Sequence, residues 1–472
     1  MTTKDKAERA LVGKALDGVL GYINRDRHNN LLKLVDVTEK IAGDMFAPES
    51  YAGARELIRE QDGKWIGYVD RILDELAPQV IRMTALNLGY QAAYLGTKTI
   101  REKRAEHQCN IPWLILMDPT SACNMHCTGC WAAEYGHKLN LTLEEMDSIV
   151  TQGKELGIYF YMFTGGEPLV RKADLIRLCE RHPECAFHAF TNGTLIDDAF
   201  CAEMRRVGNF SVSVSLEGFE AENDARRGAG NFRAVMDAMA RMKRHGLLFG
   251  ASICYTRQNI DAVTSDTFLD QIVEAGCRFA WYFHYMPVGS EAAVELLPTP
   301  EQREYMYHRV REIRGRSGGK PIFTMDFQND GEFTGGCIAG GRNFLHINAG
   351  GDVEPCVFVH YSSANIREVS LLEALKQPLF MAYRDGQPFN GNHLRPCPML
   401  ENPEHLLRMV QKTGAHSTDL QSPEAVEDLC GKCRAYAEGW RPVAERLWQE
   451  NPHYVERYEN YKKVYTQAKS EE

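Results

Sequence analysis

The stretch IPWLILMDPTSACNMHCTGC (residues 111–130) joins a short apolar run to a loop that carries three cysteines. The apolar run, bounded by Pro112 and by the loop, predicts a buried β-strand. Cys123, Cys127 and Cys130 follow with three and two residues between them. Three thiolates are one too few for a closed tetrahedral metal site, and an odd number cannot all pair as disulfides. Their spacing suits three corners of a cubane iron–sulfur cluster with an open fourth iron, although a zinc loop also uses such cysteines.

The composition is that of a globular chain with 472 residues, of which 44% are hydrophobic and 25% charged. This length predicts two or three domains. The formal net charge of −10 argues against a nucleic-acid-binding surface, which needs clustered Lys and Arg. The N-terminal MTTKDKAERA has no apolar core, and the chain has no apolar run long enough to span a bilayer. We therefore expect a cytoplasmic protein in which some of the 14 cysteines serve metal or redox chemistry in a reducing compartment. Single cysteines inside helix-like or strand-like segments are expected to be packing residues, namely Cys179, Cys185, Cys201, Cys254 and Cys277.

Strand-like and helix-like segments alternate about six times after residue 110. The strand-like runs are 111–118, 158–164, 186–191, 210–216, 249–256 and 278–286, and the helix-like segments lie near 142–156, 171–182, 195–206, 231–245 and 262–276. This alternation predicts an α/β fold with a parallel sheet, either doubly wound or a complete or partial barrel. In such folds functional residues gather where strands end, and the cysteine loop lies at the end of the first strand.

The segment before residue 105 has no strand-like alternation and is predicted to be helical. Helices are predicted near 5–28, 31–44, 50–62 and 65–105, and Pro78 should kink or split the last one. Its least polar part is ALNLGYQAAYLG, residues 85–96. We expect this part to pack on the catalytic domain; the alternative is a peripheral contact with a membrane surface.

The pattern changes again after about residue 325. Residues 344–359 predict two short strands joined by a turn at Gly350–Gly351. We therefore expect a helical N-terminal region (1–108), a core (109–325) and a small cysteine-rich C-terminal domain (326–472). The last domain carries Cys337, Cys356, Cys397, Cys430 and Cys433.

With its cysteine loop after the first strand, the chain resembles the radical SAM superfamily. The resemblance implies a partial (β/α)6 barrel and a [4Fe-4S] cluster whose open iron is chelated by the amino and carboxylate groups of S-adenosylmethionine. An electron from an external donor such as flavodoxin or ferredoxin then splits the sulfonium bond, and a 5′-deoxyadenosyl radical takes a hydrogen atom from the substrate. The family often has an aromatic residue before the third cysteine, whereas this chain has Gly129 there and Trp131 after it.

Further motifs match the same family in order along the chain. In TGGEP (164–168) the resemblance implies that Gly165, Gly166 and Glu167 hold the ammonium group of the cofactor's methionine moiety. Ser215 and Arg226, or Arg227 in its place, would contact the methionine carboxylate, and YMPVGS (285–290) would meet the adenine. Glu217 stands where the family more often has Asp. No catalytic acid, base or radical residue is predicted; Tyr285, His284 and Glu134 are candidates for the cavity wall, with a structural role favoured.

The C-terminal cysteines resemble the auxiliary-cluster extension called SPASM, or its shorter twitch form. Cys337 and GDVEPC, ending at Cys356, match its start, but the usual tight run of four cysteines is missing. We expect a second [4Fe-4S] cluster held by Cys337, Cys356, Cys430 and Cys433, with Cys397 as the alternative fourth ligand. A zinc knuckle is the other possibility. The cluster's role would be electron transfer or substrate anchoring.

The sequence leaves two classes of substrate possible. A peptide or protein is favoured slightly, because relatives with this extension often modify peptides. A lipid or another apolar small molecule is the alternative, and it is consistent with the helical N-terminal region. A hypothesis of another class is a non-catalytic iron–sulfur electron carrier, but a carrier would need neither an open iron nor the TGGEP turn.

Overall fold

A nine-stranded β-sheet forms the centre of the computed structural model, which describes residues 3–23, 25–42, 48–60, 63–132, 135–289, 292–315 and 319–451. Its order is β7-β6-β5-β4-β3-β2-β1-β8-β9, and every neighbouring pair is parallel except β8 and β9. Sequential order is typical of a barrel and not of a doubly wound sheet. The expected partial α/β barrel is thus confirmed. β7 adds to the six strands predicted for the barrel, and the two short strands predicted in 344–359, β8 and β9, belong to the same sheet. The strands are β1 (Leu114–Met117), β2 (Phe160–Phe163), β3 (Ala186–Thr191), β4 (Phe210–Ser215), β5 (Phe249–Tyr255), β6 (Phe279–His284), β7 (Phe323–Asp326), β8 (Phe344–Ile347) and β9 (Val353–Glu354).

The N-terminal region is helical, as predicted, and Pro78 splits its last long segment by beginning a new helix. Residues 85–96 form a π-helix, a rare geometry that apolar periodicity does not reveal. Asn87 Nδ2 donates to the carbonyl oxygens of Pro183 (3.0 Å) and Cys185 (2.8 Å), so this segment packs on the barrel as expected. No described helix is both long enough and apolar enough to cross a membrane. The helices are α1 (Thr3–Ile23), α2 (Arg27–Ala42), α3 (Pro48–Arg59), α4 (Lys64–Glu75), α5 (Pro78–Thr84), the π-helix (Ala85–Gly96) and α6 (Thr97–His107).

Helices cover the outer face of the barrel sheet. The first of them begins with a capping box, in which the side chains of Thr142 and Glu145 each accept a hydrogen bond from the other's backbone N–H. Successive strand residues point to opposite faces, so that Ile115 packs outward among the helices while Leu116 points inward. The helices are α7 (Leu143–Glu155), α8 (Lys172–Arg181), α9 (Asp198–Val207), α10 (Glu220–Arg227), α11 (Asn231–Arg244), α12 (Ile260–Thr264), α13 (Asp266–Ala275) and α14 (Pro300–Arg314).

The C-terminal region packs against the inner face of the barrel. The predicted hairpin is present as β8 and β9, but Leu345 pairs with Ile115, so the hairpin extends the barrel sheet past residue 325. Buried Arg303 of α14 forms an ion pair with Glu401 at 2.6 Å, which ties this region to the barrel. The remaining elements are α15 (Gly331–Thr334), β10 (Tyr361–Ser362), α16 (Leu371–Leu375), α17 (Pro378–Gly386), α18 (Pro403–Thr413), β11 (His416–Ser417) and α19 (Val426–Glu450).

Candidate active site

The three N-proximal cysteines lie on one loop at the end of β1, which we call the cluster loop (residues 118–131). Its first part is held by Ser121, whose N–H donates to the Leu139 carbonyl at 2.9 Å and whose hydroxyl accepts from the Leu139 N–H at 3.0 Å. All three thiols are half-buried. Cys123, Cys127 and Cys130 thus share one loop at the end of the barrel where functional groups were expected, and their joint binding of a cluster stays a prediction.

The TGGEP turn after β2 lies directly against the cluster loop. The N–H of Gly166 donates to the Thr120 carbonyl at 3.0 Å, and that of Glu167 donates to the Ala122 carbonyl at 2.8 Å. A Cβ at position 166 would lie 2.2 Å from the Ala122 oxygen, and Gly165 has a φ of +104°. Glycine is therefore required at both positions. The sequence predicted a close backbone approach to the cofactor, and the structure shows one to the loop itself.

The Glu167 carboxylate joins the ends of two neighbouring strands. It is buried and accepts hydrogen bonds from Leu169 N–H (3.0 Å), the Thr191 hydroxyl (2.6 Å) and Asn192 N–H (2.7 Å). Burial raises the pKa of this carboxyl, and the three hydrogen bonds oppose the rise. A carboxylate offers about four acceptor positions, so one is left for a ligand's ammonium group. Binding of that ammonium by Glu167 stays a prediction.

Two arginines brace the cluster loop from α10. The Oε1 atom of buried Glu217 accepts from Arg226 at 2.8 Å and from Arg227 at 2.5 Å. Arg226 also donates to the Thr128 carbonyl at 3.2 Å, and Arg227 lies 3.9 Å from the sulfur of Cys127. Glu217 therefore holds the two guanidinium groups in place, and these in turn contact the cluster loop. The sequence did not predict this role.

Polar atoms remain for a ligand beside these arginines. The second oxygen of Glu217, Oε2, is buried without a hydrogen-bond partner among the described residues. Ser215 ends β4 and is half-buried, opposite Ser252 of β5. Contacts of Ser215 and Arg226 with the methionine carboxylate stay predictions.

The cavity-wall candidates have structural contacts in the described chain. The Tyr285 ring packs on Gly129, where a Cβ would lie 2.6 Å from the Tyr285 hydroxyl and where φ is +65°. This explains why the loop carries glycine at the position before the third cysteine. Buried His284 has its Nδ1 2.6 Å from the Tyr285 carbonyl oxygen, and burial lowers its pKa well below the usual value. Glu134 lies outside the described residues.

Trp131 connects the cluster loop with the C-terminal region. Its ring meets those of His346 and Phe358 edge-on, with centroids 5.9 and 6.2 Å away. Phe358 is two residues after Cys356, so the indole lies between the segments that carry the two sets of cysteines.

A buried charge network lies beside Trp131. His346 is 2.9 Å from Asp118 and 2.6 Å from Glu354, and the Tyr135 hydroxyl donates to Glu354 at 2.8 Å. Burial disfavours a charge on His346, but the two carboxylates outweigh burial and raise its pKa to about 10. Sequence analysis missed this network, although Asp118 ends a strand at the functional edge, which is a signal that could have found it.

The C-terminal cysteines gather in the core between the barrel and α17 to α19. The Cys397 sulfur accepts from the N–H groups of Met399 (3.4 Å) and Leu400 (3.3 Å). Cys337 and Cys397 pack, half-buried, against the same apolar cluster that contains Cys356, Cys430 and Cys433, and the choice of four ligands among these five stays a prediction. Cys430 and Cys433 are buried on one face of α19, three residues apart.

Burial makes these thiols poor ligands unless a metal compensates. It raises the pKa of Cys337 to about 11 and that of Cys430 to about 12. Metal coordination removes the proton and favours the thiolate. Deprotonated cysteines are the usual ligands of iron–sulfur clusters.

Family models match both cysteine regions. The model described as "Radical SAM superfamily" matches residues 117–264, and the SPASM model, described as "Iron-sulfur cluster-binding domain", matches residues 337–399.

The chain contains a radical SAM domain and a SPASM domain. Its radical SAM domain binds a [4Fe-4S] cluster with S-adenosylmethionine, and its SPASM domain binds further iron–sulfur cofactor. The hypothesis of a non-catalytic electron carrier is therefore wrong. The SPASM match also favours an iron–sulfur cluster over a zinc ion as the metal of the C-terminal domain. The SPASM match includes Cys337, Cys356 and Cys397 but ends before Cys430 and Cys433.

The names of curated relatives refer to different reactions. An "AdoMet-dependent heme synthase" of Oleidesulfovibrio alaskensis is 26% identical over 309 residues, which cover 59% of this chain and 78% of the relative. A "PqqA peptide cyclase" of Granulibacter bethesdensis is 27% identical over 301 residues, which cover 61% of this chain and 79% of the relative.

A solved structure shares the enzyme's fold. SuiB of Streptococcus suis, bound to the precursor peptide SuiA, superposes with a TM-score of 0.54 at 18% identity. The superposition covers 71% of this chain and 80% of SuiB. At this identity the likeness supports the fold alone.

Proposed function

We propose that the enzyme abstracts a hydrogen atom from an apolar or aromatic group that binds against the inner face of the barrel. The observation that carries this proposal is an aromatic wall formed by Phe190, Trp281 and Phe283. The ring centroids are 6.0 Å apart for Phe190 and Trp281, 5.7 Å for Phe190 and Phe283, and 6.1 Å for Trp281 and Phe283. All three side chains are only half-buried although they face inward. Aromatic surfaces of this kind bind flat or apolar groups.

The residues at the end of the barrel would hold the cofactor that supplies the hydrogen-abstracting radical. Cys123, Cys127 and Cys130 are the proposed cluster ligands. Gly165, Gly166 and Glu167 would orient the ammonium of S-adenosylmethionine, and Ser215 and Arg226 its carboxylate. Charge complementarity supports the contact of Arg226 with the carboxylate, because buried Glu217 keeps this guanidinium group at the edge of the loop.

For the auxiliary cluster we propose Cys337, Cys356 and Cys397 as ligands, with one cysteine of the α19 pair as the fourth. The extent of the SPASM match supports this set over the one favoured from sequence. Both cysteines of the α19 pair are buried in the same cluster as Cys356, so either can supply the fourth thiolate. Electrons would come from an external donor such as flavodoxin or ferredoxin in the cytoplasm.

As substrate we propose a peptide that presents an apolar or aromatic side chain. The names of the peptide cyclase relatives support this choice. An apolar small molecule is the second candidate, because the aromatic wall suits a planar molecule and other relatives are named as heme synthases. A lipid is included in this second class of candidate substrate.

Anaerobic incubation with fractionated cell extract tests the proposal. The reduced holoenzyme would be given peptide, small-molecule and lipid fractions, and 5′-deoxyadenosine would be measured against a no-substrate background. Stimulation by the peptide fraction supports the first candidate, and stimulation by either of the others supports the second. Replacing Trp281 by Ala should weaken stimulation by whichever fraction is active while background cleavage persists. An unchanged response to that fraction would refute the aromatic wall as the substrate site.

A further inference from the structure

A buried hydroxyl without a partner lies among the auxiliary cysteines. Tyr383 of α17 is fully buried, and its hydroxyl oxygen has no hydrogen-bond partner among the described residues. Other buried tyrosines satisfy theirs: Tyr282 donates to the Val263 carbonyl at 2.7 Å, and Tyr161 to the Ile158 carbonyl at 2.9 Å. An unsatisfied buried hydroxyl is destabilising, so the Tyr383 hydroxyl needs a hydrogen-bond acceptor that the described residues do not supply.

Packing fixes where this hydroxyl lies. A Cβ on Gly340 would be 2.4 Å from the Cβ of Tyr383, so the base of the tyrosine is pressed against the backbone three residues after Cys337. The ring meets that of Phe389 edge-on, with centroids 5.3 Å apart. The side chain therefore has little freedom to seek a partner elsewhere.

Tyr383 lies in the same buried core as the proposed cluster ligands. Cys356, Cys430 and Cys433 belong to this buried cluster, and Cys337 and Cys397 pack against it. A tyrosine phenol, with an ordinary pKa of about 10, keeps its proton at neutral pH and is available as a hydrogen-bond donor.

We propose that Tyr383 donates a hydrogen bond to a sulfur atom of the auxiliary iron–sulfur cluster and thereby raises its reduction potential. Reduction adds one negative charge, part of which resides on the sulfurs, so a donor stabilises the reduced cluster more than the oxidised one. Tyr383 is a positioning and tuning residue that makes this cluster a better electron acceptor. The inference rests on the proposed auxiliary ligand set.

A redox titration of the holoenzyme, followed by electron paramagnetic resonance, tests the inference. In Tyr383→Phe the ratio of reduced to oxidised auxiliary cluster at a fixed potential should fall roughly tenfold, a shift of about 59 mV for one electron. The iron content and the potential of the radical SAM cluster should stay as in the wild type. Tyr282→Phe, which removes a buried hydroxyl on the barrel, is the matched control and should shift neither potential. An unshifted auxiliary potential in a fully loaded Tyr383→Phe enzyme would overturn the inference.

A second measurement needs no change at Tyr383. Ring-deuterated tyrosine would be incorporated into the enzyme with Cys123, Cys127 and Cys130 all replaced by Ala, so that only the auxiliary cluster is paramagnetic. Electron–nuclear double resonance should then detect ring deuterons within a few ångströms of the reduced cluster. No deuteron coupling would contradict the inference. Loss of the auxiliary iron in Cys356→Ala separately tests the ligand set, so the two failures are distinguishable.

Discussion

The backbone of Gly166 lies against the carbonyl of Ala122, so that a β-carbon at position 166 would be 2.2 Å from the Ala122 oxygen. Two parallel N–H donations accompany this contact, from Gly166 to Thr120 and from Glu167 to Ala122. The cysteine loop and the glycine turn therefore form one rigid unit at the ends of β1 and β2. This relationship makes the turn a support for the cluster loop as well as a proposed cofactor contact.

Replacing Gly166 by Ala should separate the turn from the loop. We expect the rate of S-adenosylmethionine cleavage to fall at least about tenfold, because an added methyl group in a tight contact costs about 1–3 kcal/mol and displaces the loop. The rate of 5′-deoxyadenosine formation measures the effect. Gly67→Ala on α4, where a Cβ meets nothing within 4 Å, is the control and should keep full activity. A fully active Gly166→Ala enzyme would show that the contact is dispensable.

Replacing Glu217 by Gln should release the two arginines that brace the loop. The Glu217 side chain is fully buried, and those of Arg226 and Arg227 are 15% and 12% exposed. Because breaking a buried pair leaves charges uncompensated, we expect the free energy of unfolding to fall by about 3 kcal/mol, with faster loss of iron from the radical SAM cluster.

The control for Glu217 is an exposed ion pair elsewhere on the barrel. Arg233 and Glu220 are 78% and 49% exposed, and Glu220→Gln should change stability by less than about 0.5 kcal/mol. Equal unfolding midpoints for the two variants in a denaturant titration would count against the bracing role of Glu217.

The sequence predicted the strand-loop-helix order well, because hydrophobic periodicity and the motif spacings are local properties. It placed Cys123, Gly166 and Glu217 correctly at strand ends. It did not predict that Leu345 would pair with Ile115, since a pairing across more than 200 residues leaves no local signal. The sequence also did not predict the π-helix or the contacts of Trp131 and Tyr383, because each depends on packing between distant segments.

The stability of the enzyme should depend on pH through His346. Its pKa in the folded protein is about 10, above the value of about 6.5 for an unfolded histidine. The stabilising effect of the imidazolium is therefore complete below about pH 6.5 and is lost as pH rises toward 10, by up to about 1.4 kcal/mol per pH unit. Thermal unfolding should show the advantage of wild type over His346→Gln shrinking across this range. Parallel pH profiles for the two proteins would refute the buried imidazolium.

The Arg303–Glu401 pair should couple the C-terminal region to the barrel. Both side chains are fully buried, and the Arg303 guanidinium lies 4.4 Å from the centre of the Trp440 ring. Arg303→Met should lower the free energy of unfolding by about 3–5 kcal/mol because Glu401 keeps an unpaired charge. Adding Glu401→Leu should restore most of that loss, as denaturant titrations of the three proteins would show. A double variant no more stable than Arg303→Met would mean that the ion pair is not the source of the effect.

The open iron of the radical SAM cluster is accessible to electron–nuclear double resonance. The reduced enzyme would be mixed with S-adenosylmethionine labelled with ¹⁵N at its amino group. A strong ¹⁵N coupling to the cluster is expected in the wild type, and it should disappear in Cys127→Ala. A wild-type enzyme that binds the labelled cofactor without any such coupling would contradict a cluster held by three cysteines with its fourth iron open to the cofactor.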